Sequence, residues 1–274
     1  MPELPEVQTI VDDLSPALRG ALIRRVIVLR RDVIRRGAGA LSTGLAGRRI
    51  AEIVRDGKRI HLRLEPAGRL VIHLGMSGRL GLFPPRTGLE PHTHLRVLFR
   101  DRPQELRFRD PRRFGGIWFI GDASGMEQAA LPALGPDALS IRVPVLRQVL
   151  RRRRQIKALL LDQYAISGLG NIYCDESLHR AGIHPLARAA TLTEPQVRAL
   201  ACSIRRTLRS AIDSGGSTLV DYRRADGSAG AFQAFHRVYG REGQPCFRCG
   251  EVIRRIQAAG RSTHLCPRCQ RGGR

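Results

Sequence analysis

Four cysteines crowd the last thirty or so residues in two Cys-x-x-Cys pairs, Cys246/Cys249 and Cys266/Cys269, with 16 residues between the pairs. That spacing suits a four-thiolate zinc site, in which two knuckles bring soft ligands to one tetrahedral ion and the metal replaces a hydrophobic core too small to form. Nothing in the sequence suggests redox chemistry, so one structural Zn2+ is the expected cofactor. Two disulfides are the competing reading, disfavoured in a reducing compartment. His264 stands near the second pair, but four cysteines already satisfy the ion. Between the pairs lie Arg254, Arg255 and Arg261, the last beside Gly260. An arginine at a glycine-marked hairpin tip can hold a phosphate through two parallel hydrogen bonds. A solvated surface arginine explains the same residues equally well.

The other end of the chain offers a second chemistry. It begins Met1-Pro2-Glu3-Leu4-Pro5-Glu6. Removal of Met1 before a small residue is expected and exposes a secondary amine. A free α-amine has a pKa of about 7.7–8.0, so part of it is unprotonated at neutral pH. Such an amine attacks an aldehyde carbon to give a Schiff base, and with proline the product is a cationic iminium, an electron sink. Glu3 or Glu6 beside it could shuttle protons. Taken alone, the segment is explained more simply as a helix start, with prolines in the first turn and acids at the positive end.

These groups must be positioned by folded elements, and 274 residues suffice for two cores. There are 47 Lys+Arg against 24 Asp+Glu, a net charge of +23 spread along the chain. Such a field draws polyanions: DNA, RNA or an anionic membrane. No apolar run reaches the ~18–20 residues that span a bilayer, and the acidic, proline-rich start does not resemble a secretory signal. An intracellular location with reduced thiols is expected. Residues 3 to 18 read as a helix, with Val7, Ile10, Val11 and Leu14 on one stripe. From about 21 to 120 short strands are expected, among them Ile60–Leu64, Leu70–Ile72, Leu95–Phe99 and Gly116–Ile120, with a hairpin turn at Asp56-Gly57. From 121 to 140 the composition shifts to Gly, Ala and Pro, as in a linker. Beyond it, Thr193 with Gln196 forms a capping box ahead of Val197, Leu200, Ile204, Leu208 and Ala211 on one helical face, and Gly215-Gly216 ends that helix. Cys174 and Cys202 fall on predicted helices and read as small buried residues. Residues 221–232 read as a mobile loop.

Taken together, five segments are similar to the formamidopyrimidine-DNA glycosylase family. They are Pro2-Glu3-Leu4-Pro5-Glu6-Val7, His73-Leu74-Gly75-Met76-Ser77-Gly78, Asp110-Pro111-Arg112-Arg113-Phe114-Gly115, Gly168-Leu169-Gly170-Asn171-Ile172-Tyr173, and the terminal finger with Arg261. The resemblance covers essentially the whole chain. It implies an α+β fold: an N-terminal β-sandwich with a leading helix over 2–130, a linker over 131–140, a helical domain with a helix–two-turn–helix over 141–237, and a β-hairpin zinc finger over 238–272.

The resemblance also implies roles. Pro2 corresponds to the nucleophile on C1′ of the damaged nucleotide and Glu3 to a proton shuttle. Lys58 corresponds to an essential lysine that holds a phosphate near the lesion and assists proton transfer. Arg261 corresponds to the finger-tip arginine tied to the second elimination. Flipping a base leaves a void and an orphaned partner; Met76, Arg112 and Phe114 correspond to the trio that fills it, with Arg112 on the orphaned base, favouring cytosine. Asn171 at a glycine-bearing helix start corresponds to a phosphate ligand. Lys157 and Arg152 correspond to basic residues facing the backbone, although the family often has lysine where this chain has the run Arg151 to Arg154. His73 and His92 match positions near the backbone. The loop Thr218 to Phe232 corresponds to the segment that closes over the flipped base. The implied activity is a bifunctional glycosylase/AP lyase on oxidised purines in double-stranded DNA, working as a monomer in the cytoplasm at the nucleoid. Two alternatives stand beside it. An endonuclease VIII-type enzyme for oxidised pyrimidines usually has Gly where this chain has Leu4. A non-catalytic nucleic-acid-binding zinc protein has no need of a free proline at residue 2.

Overall fold

The computed structural model describes residues 1–121 and 131–272. The end of the expected N-terminal domain at 130, and the first part of the Gly/Ala/Pro stretch, lie outside the described residues. The chain forms two compact units, Met1–Pro132 with Gly215–Ala231, and Ala133–Ser214 with Phe232–Arg274.

The first unit is α+β. Helix α1 (Leu4–Leu18) starts with Pro5 in its first turn, and the Glu3 amide donates to Glu6 Oε2 at 2.8 Å, the reciprocal bond of a capping box. Strands β1 (Ile23–Val28), β7 (Thr93–Phe99), β8 (Glu105–Arg109) and β6 (Arg79–Phe83) make a four-stranded sheet in the order β1-β7-β8-β6. Strands β2 (Ile34–Arg36), β9 (Gly116–Ile120), β5 (Arg69–His73), β4 (Arg59–Glu65) and β3 (Arg49–Asp56) make a five-stranded sheet in the order β2-β9-β5-β4-β3. A short helix α2 (Leu41–Leu45) packs on β1. Both sheets and α1 bury their apolar faces in one core, with Val7, Ile10 and Leu14 from the helix, Ile60 and Leu62 from β4, and Val97 and Phe108 from the other sheet. The β-sandwich with a leading helix is therefore present.

Two details differ from expectation. The β3–β4 register pairs Asp56 with Arg59, so the two-residue turn is Gly57-Lys58 rather than Asp56-Gly57. Gly57 takes φ +58° at the first turn position, where only glycine is unstrained. The second concerns residues 215–231, expected within the helical domain. They cluster with the β-rich unit because two α1 carboxylates hold them. Glu6 Oε1 accepts the Ser217 amide at 2.8 Å, and Asp13 accepts Arg224 NH2 at 2.6 Å.

The second unit is helical: α3 (Val143–Leu150), α4 (Ile156–Leu161), α5 (Asn171–Ala181) and α6 (Glu194–Asp213). Helix α6 follows its sequence closely. Thr193 N–H donates to Gln196 Oε1 at 2.9 Å, and Val197, Leu200, Ile204, Leu208 and Ala211 are buried. Cys174 is fully buried on α5 and Cys202 half-buried on α6. The unit ends in the hairpin β10 (Arg254–Ala258) and β11 (Arg261–Leu265). No helix among the described residues is long and apolar enough to cross a membrane.

Candidate functional site

In the β-rich unit the start of α1 carries Pro2, Glu3 and Glu6, all buried. Buried carboxylates need partners. Those of Glu6 are explicit: one oxygen takes the Glu3 amide and the other the Ser217 amide, each at 2.8 Å. Both oxygens being used in this way, Glu6 acts as a staple between the N-terminus and the 215–231 segment. Gly216 approaches it at φ +80°, where an added Cβ would lie 3.0 Å from Glu6 Cγ. Glycine alone fits that conformation without strain. The segment closes on itself through the Gly230 amide on Thr218 Oγ1 at 2.9 Å. Tyr222 donates to the Gly215 carbonyl at 3.1 Å, and burial together with the Glu6 carboxylate raises its phenol pKa. Beyond this cinched base, Leu219 and Val220 are exposed.

Lys58 occupies the β3–β4 turn and is buried. His73 ends β5, and burial, reinforced by the charges of Lys58 and Arg59, lowers its pKa to about 4. His73 is therefore a neutral ring at pH 7, and its Nδ1 accepts the Gly75 amide at 3.3 Å. The loops 73–78 and 110–115 are locked together. Asp110, fully buried, accepts Ser77 Oγ at 2.6 Å and the Gly115 amide at 2.7 Å. Ser77 Oγ in turn accepts the Arg112 amide at 3.2 Å. A Cβ on Gly75 would run into the backbone of Phe114 and Gly115, so its glycine permits the contact. This frame carries half-buried Met76 with exposed Arg112 and Phe114. Phe114 is 57% exposed, against the alternative of core packing, and the Arg112 guanidinium lies 4.8 Å from its ring centroid. His92, at the entrance to β7, is exposed with φ +67°.

In the helical unit Asn171 opens α5, and its side-chain amide donates to the Ser262 carbonyl at 2.9 Å. Arg152 is exposed just past α3. Lys157 corrects an expectation: it is completely buried, with Nζ on Asp175 at 2.6 Å and on Thr263 Oγ1 at 2.7 Å. A lysine so enclosed cannot reach a DNA phosphate directly. Arg261 is exposed where the β10–β11 hairpin turns back through Ala259 (φ +52°) and Gly260 (φ +67°).

The four cysteine sulfurs all lie within 4.8 Å of one another. A tetrahedral zinc–thiolate site needs sulfur separations of about 3.8 Å, from Zn–S bonds of about 2.3 Å. The donor chemistry agrees. Burial and the neighbouring sulfurs raise the Cys269 thiol, the repulsion that a cation among the sulfurs would relieve. Four thiolates in one place need a cation between them. His264 is not part of this set. Its amide donates to Asp175 at 2.8 Å and its ring faces the same carboxylate.

Three separate sets of bonds were not singled out from sequence: Glu6 with Ser217 and Asp110 with Ser77 in the β-rich unit, and Asp175 with Lys157 in the helical unit. Asp175 and Glu176 carry a signal, being two adjacent acids inside the buried run Ile172 to Leu178; acids in such a run must be paired.

Comparison with known proteins matches three modules in chain order. They are the formamidopyrimidine-DNA glycosylase N-terminal domain over residues 1–117, the H2TH domain of the same enzymes over 134–222, and the zinc finger found in FPG and IleRS over 243–272. Such an architecture defines a glycosylase of the helix–two-turn–helix class with a terminal zinc finger. A formamidopyrimidine-DNA glycosylase of Gluconobacter oxydans is 45% identical over 99% of this chain and 100% of its own. The structure of a Lactococcus lactis FPG variant bound to Fapy-dG-containing DNA superposes with a TM-score of 0.91 at 34% identity, covering 99% of this chain and 100% of that one. MutM bound to carbocyclic 8-oxo-G DNA gives 0.89 at 35% identity, with 99% and 100% coverage. The chain belongs to the formamidopyrimidine-DNA glycosylase family.

Proposed function

We propose that this protein excises oxidised purines, 8-oxoguanine and ring-opened formamidopyrimidines, from double-stranded DNA and then cuts the strand at the resulting abasic site. The observation that carries the reading is the buried Pro2 at the head of α1, followed directly by Glu3, whose amide Glu6 holds. Once Met1 is removed, the Pro2 nitrogen attacks C1′, the C1′–base bond breaks, and the departing base takes a proton. Opening of the sugar, with Glu3 moving the proton on the ring oxygen, gives the iminium. Loss of a C2′ proton breaks the bond to the 3′ phosphate, and a second elimination breaks the bond to the 5′ phosphate. Lys58 serves the phosphate at the lesion, and Arg261 the second elimination.

Met76, Arg112 and Phe114 fill the space the flipped nucleotide leaves, with Arg112 on the orphaned base. Arg152, Asn171, His73 and His92 line the path of the backbone. One structural zinc holds the finger. The net charge of +23 supports a polyanion partner, and solved relatives are bound to DNA containing Fapy-dG and 8-oxo-G. A cytoplasmic, nucleoid-associated monomer accords with this reading.

Duplexes carrying 8-oxoguanine opposite cytosine, or thymine glycol opposite adenine, test it. The proposal expects faster release of 8-oxoguanine and strand products ending in phosphate on both sides of the gap. Preference for thymine glycol would move the assignment to the endonuclease VIII type. Binding with neither base release nor nicking would leave a non-catalytic binder.

A further inference from the structure

Helices α4 and α5 together grip three successive residues of β11. Asn171 at its start holds the Ser262 carbonyl at 2.9 Å. Lys157, reaching from α4, meets Thr263 Oγ1 at 2.7 Å and is paired with Asp175 of α5 at 2.6 Å. Asp175 uses its other oxygen on the His264 amide at 2.8 Å. Lys157, Asp175 and Thr263 are all fully buried. The next residue toward the hairpin tip is Arg261, whose side chain is exposed.

A buried ion pair is a poor device for stability, because desolvating both ions offsets most of their attraction and an apolar pair would serve as well. Directional bonds do fix position. The finger has other bonds at its base, where Glu176 of α5 accepts the Arg237, Val238 and Tyr239 amides and Gln270 donates to the Ile183 carbonyl, but none of these reaches β11. Its own core consists of Val238, Ile253, Cys246 and Cys266 with two partly buried cysteines, and its tip turns through Ala259 in a left-handed conformation that disfavours a side chain.

We infer that Asp175, with Lys157 and Thr263, is a positioning cluster that sets the register of β11 and so holds the Arg261 guanidinium at the site of the second elimination. The inference rests on the proposed role of Arg261. Among the described residues the bonds of the cluster run to Ser262, Thr263 and His264 and not to the four cysteines. Zinc holds the finger closed, whereas the cluster fixes where its tip stands on α5. Loosening it therefore affects the step that needs Arg261 and spares formation of the Schiff base at Pro2.

The test uses the full-length zinc-loaded protein with a duplex containing 8-oxoguanine. Asp175→Asn keeps the shape and an acceptor for the His264 amide but removes the charge facing Lys157. Thr263→Val keeps the shape and removes only the hydroxyl. Arg261→Ala is the reference. Three quantities are measured: bound zinc, adduct trapped by borohydride, and the ratio of single- to double-elimination products. Asp175→Asn is expected to retain zinc, trap at close to the parent rate, and slow the second elimination by about tenfold to a hundredfold, the loss that a misplacement of about 1 Å brings. Thr263→Val shifts the ratio the same way by a smaller factor. Zinc-loaded variants with the parental product ratio would overturn the inference, as would loss of zinc in both, which would make the cluster a folding requirement. If Arg261→Ala itself keeps the parental ratio, the reading of Arg261 is what has failed.

Discussion

Replacing Glu6 by Gln tests how the N-terminus is held. In the native protein the two carboxylate oxygens accept the amides of Glu3 and Ser217, both at 2.8 Å, within a buried environment. A glutamine offers one oxygen and turns an NH2 toward the second donor. One hydrogen bond to a charged group is lost, costing about 1.5–3 kcal/mol, and the other falls to the value of a neutral bond, about 1 kcal/mol. The expected destabilisation is therefore about 3 kcal/mol, read as a lower urea midpoint. Because the Glu3 amide follows Pro2 directly, its release also lets the nucleophile drift. A misplacement of about 1 Å lowers the rate of borohydride-trapped adduct formation by roughly a hundredfold in single-turnover conditions. The two effects separate by experiment, since trapping is measured on folded protein well below the unfolding transition. A folded variant that traps at the parental rate would refute the argument that Glu6 positions Pro2.

Phe114→Ala should leave the unfolding free energy from urea titration within about 0.5 kcal/mol, as for an exposed side chain, yet weaken binding to lesion duplex by about 1–3 kcal/mol, the value of an aromatic–base stack; an unchanged affinity would remove Phe114 from the interface. Chelating the zinc should raise amide exchange across residues 246–270 and abolish nicking, since the finger's apolar core is too small to fold without metal; protected amides in the metal-free protein would contradict this. Acid should destabilise the β-rich unit. His61 and His73 have pKa values lowered to about 4 from 6.5, chiefly by burial. Between those values the unfolded chain binds more protons than the native one, so stability is lost as pH falls from about 6.5 toward 4, by at most about 3 kcal/mol per ring. His73→Gln should flatten part of that slope in urea midpoints taken from pH 7.5 to 4.5, and a parental slope would refute it.

Much of this molecule could be read locally. Helices α1 and α6 announce themselves through period and caps, because both are decided by residues within one turn of each other. The cysteine pairs and the strands at Ile60–Leu64 and Leu95–Phe99 are equally local. The turn containing Lys58 was displaced by one residue, since register is chosen by pairing along all of β3 and β4 and not by the Asp-Gly dipeptide. Membership of residues 215–231 in the β-rich unit was out of reach for a different reason: it depends on Glu6 and Asp13, some two hundred positions earlier. Lys157 shows the limit of residue type as a guide. Its charge suggests a phosphate, but the buried Asp175 on the following helix claims it.

The most direct measurement is the position of the covalent link. Borohydride reduction during turnover on 8-oxoguanine duplex, followed by proteolysis and mass spectrometry of the adduct, should place the deoxyribose remnant on the nitrogen of Pro2, with Met1 absent. An adduct on Lys58 or any other lysine, or complete base release by a protein whose Pro2 nitrogen is blocked, would contradict the account.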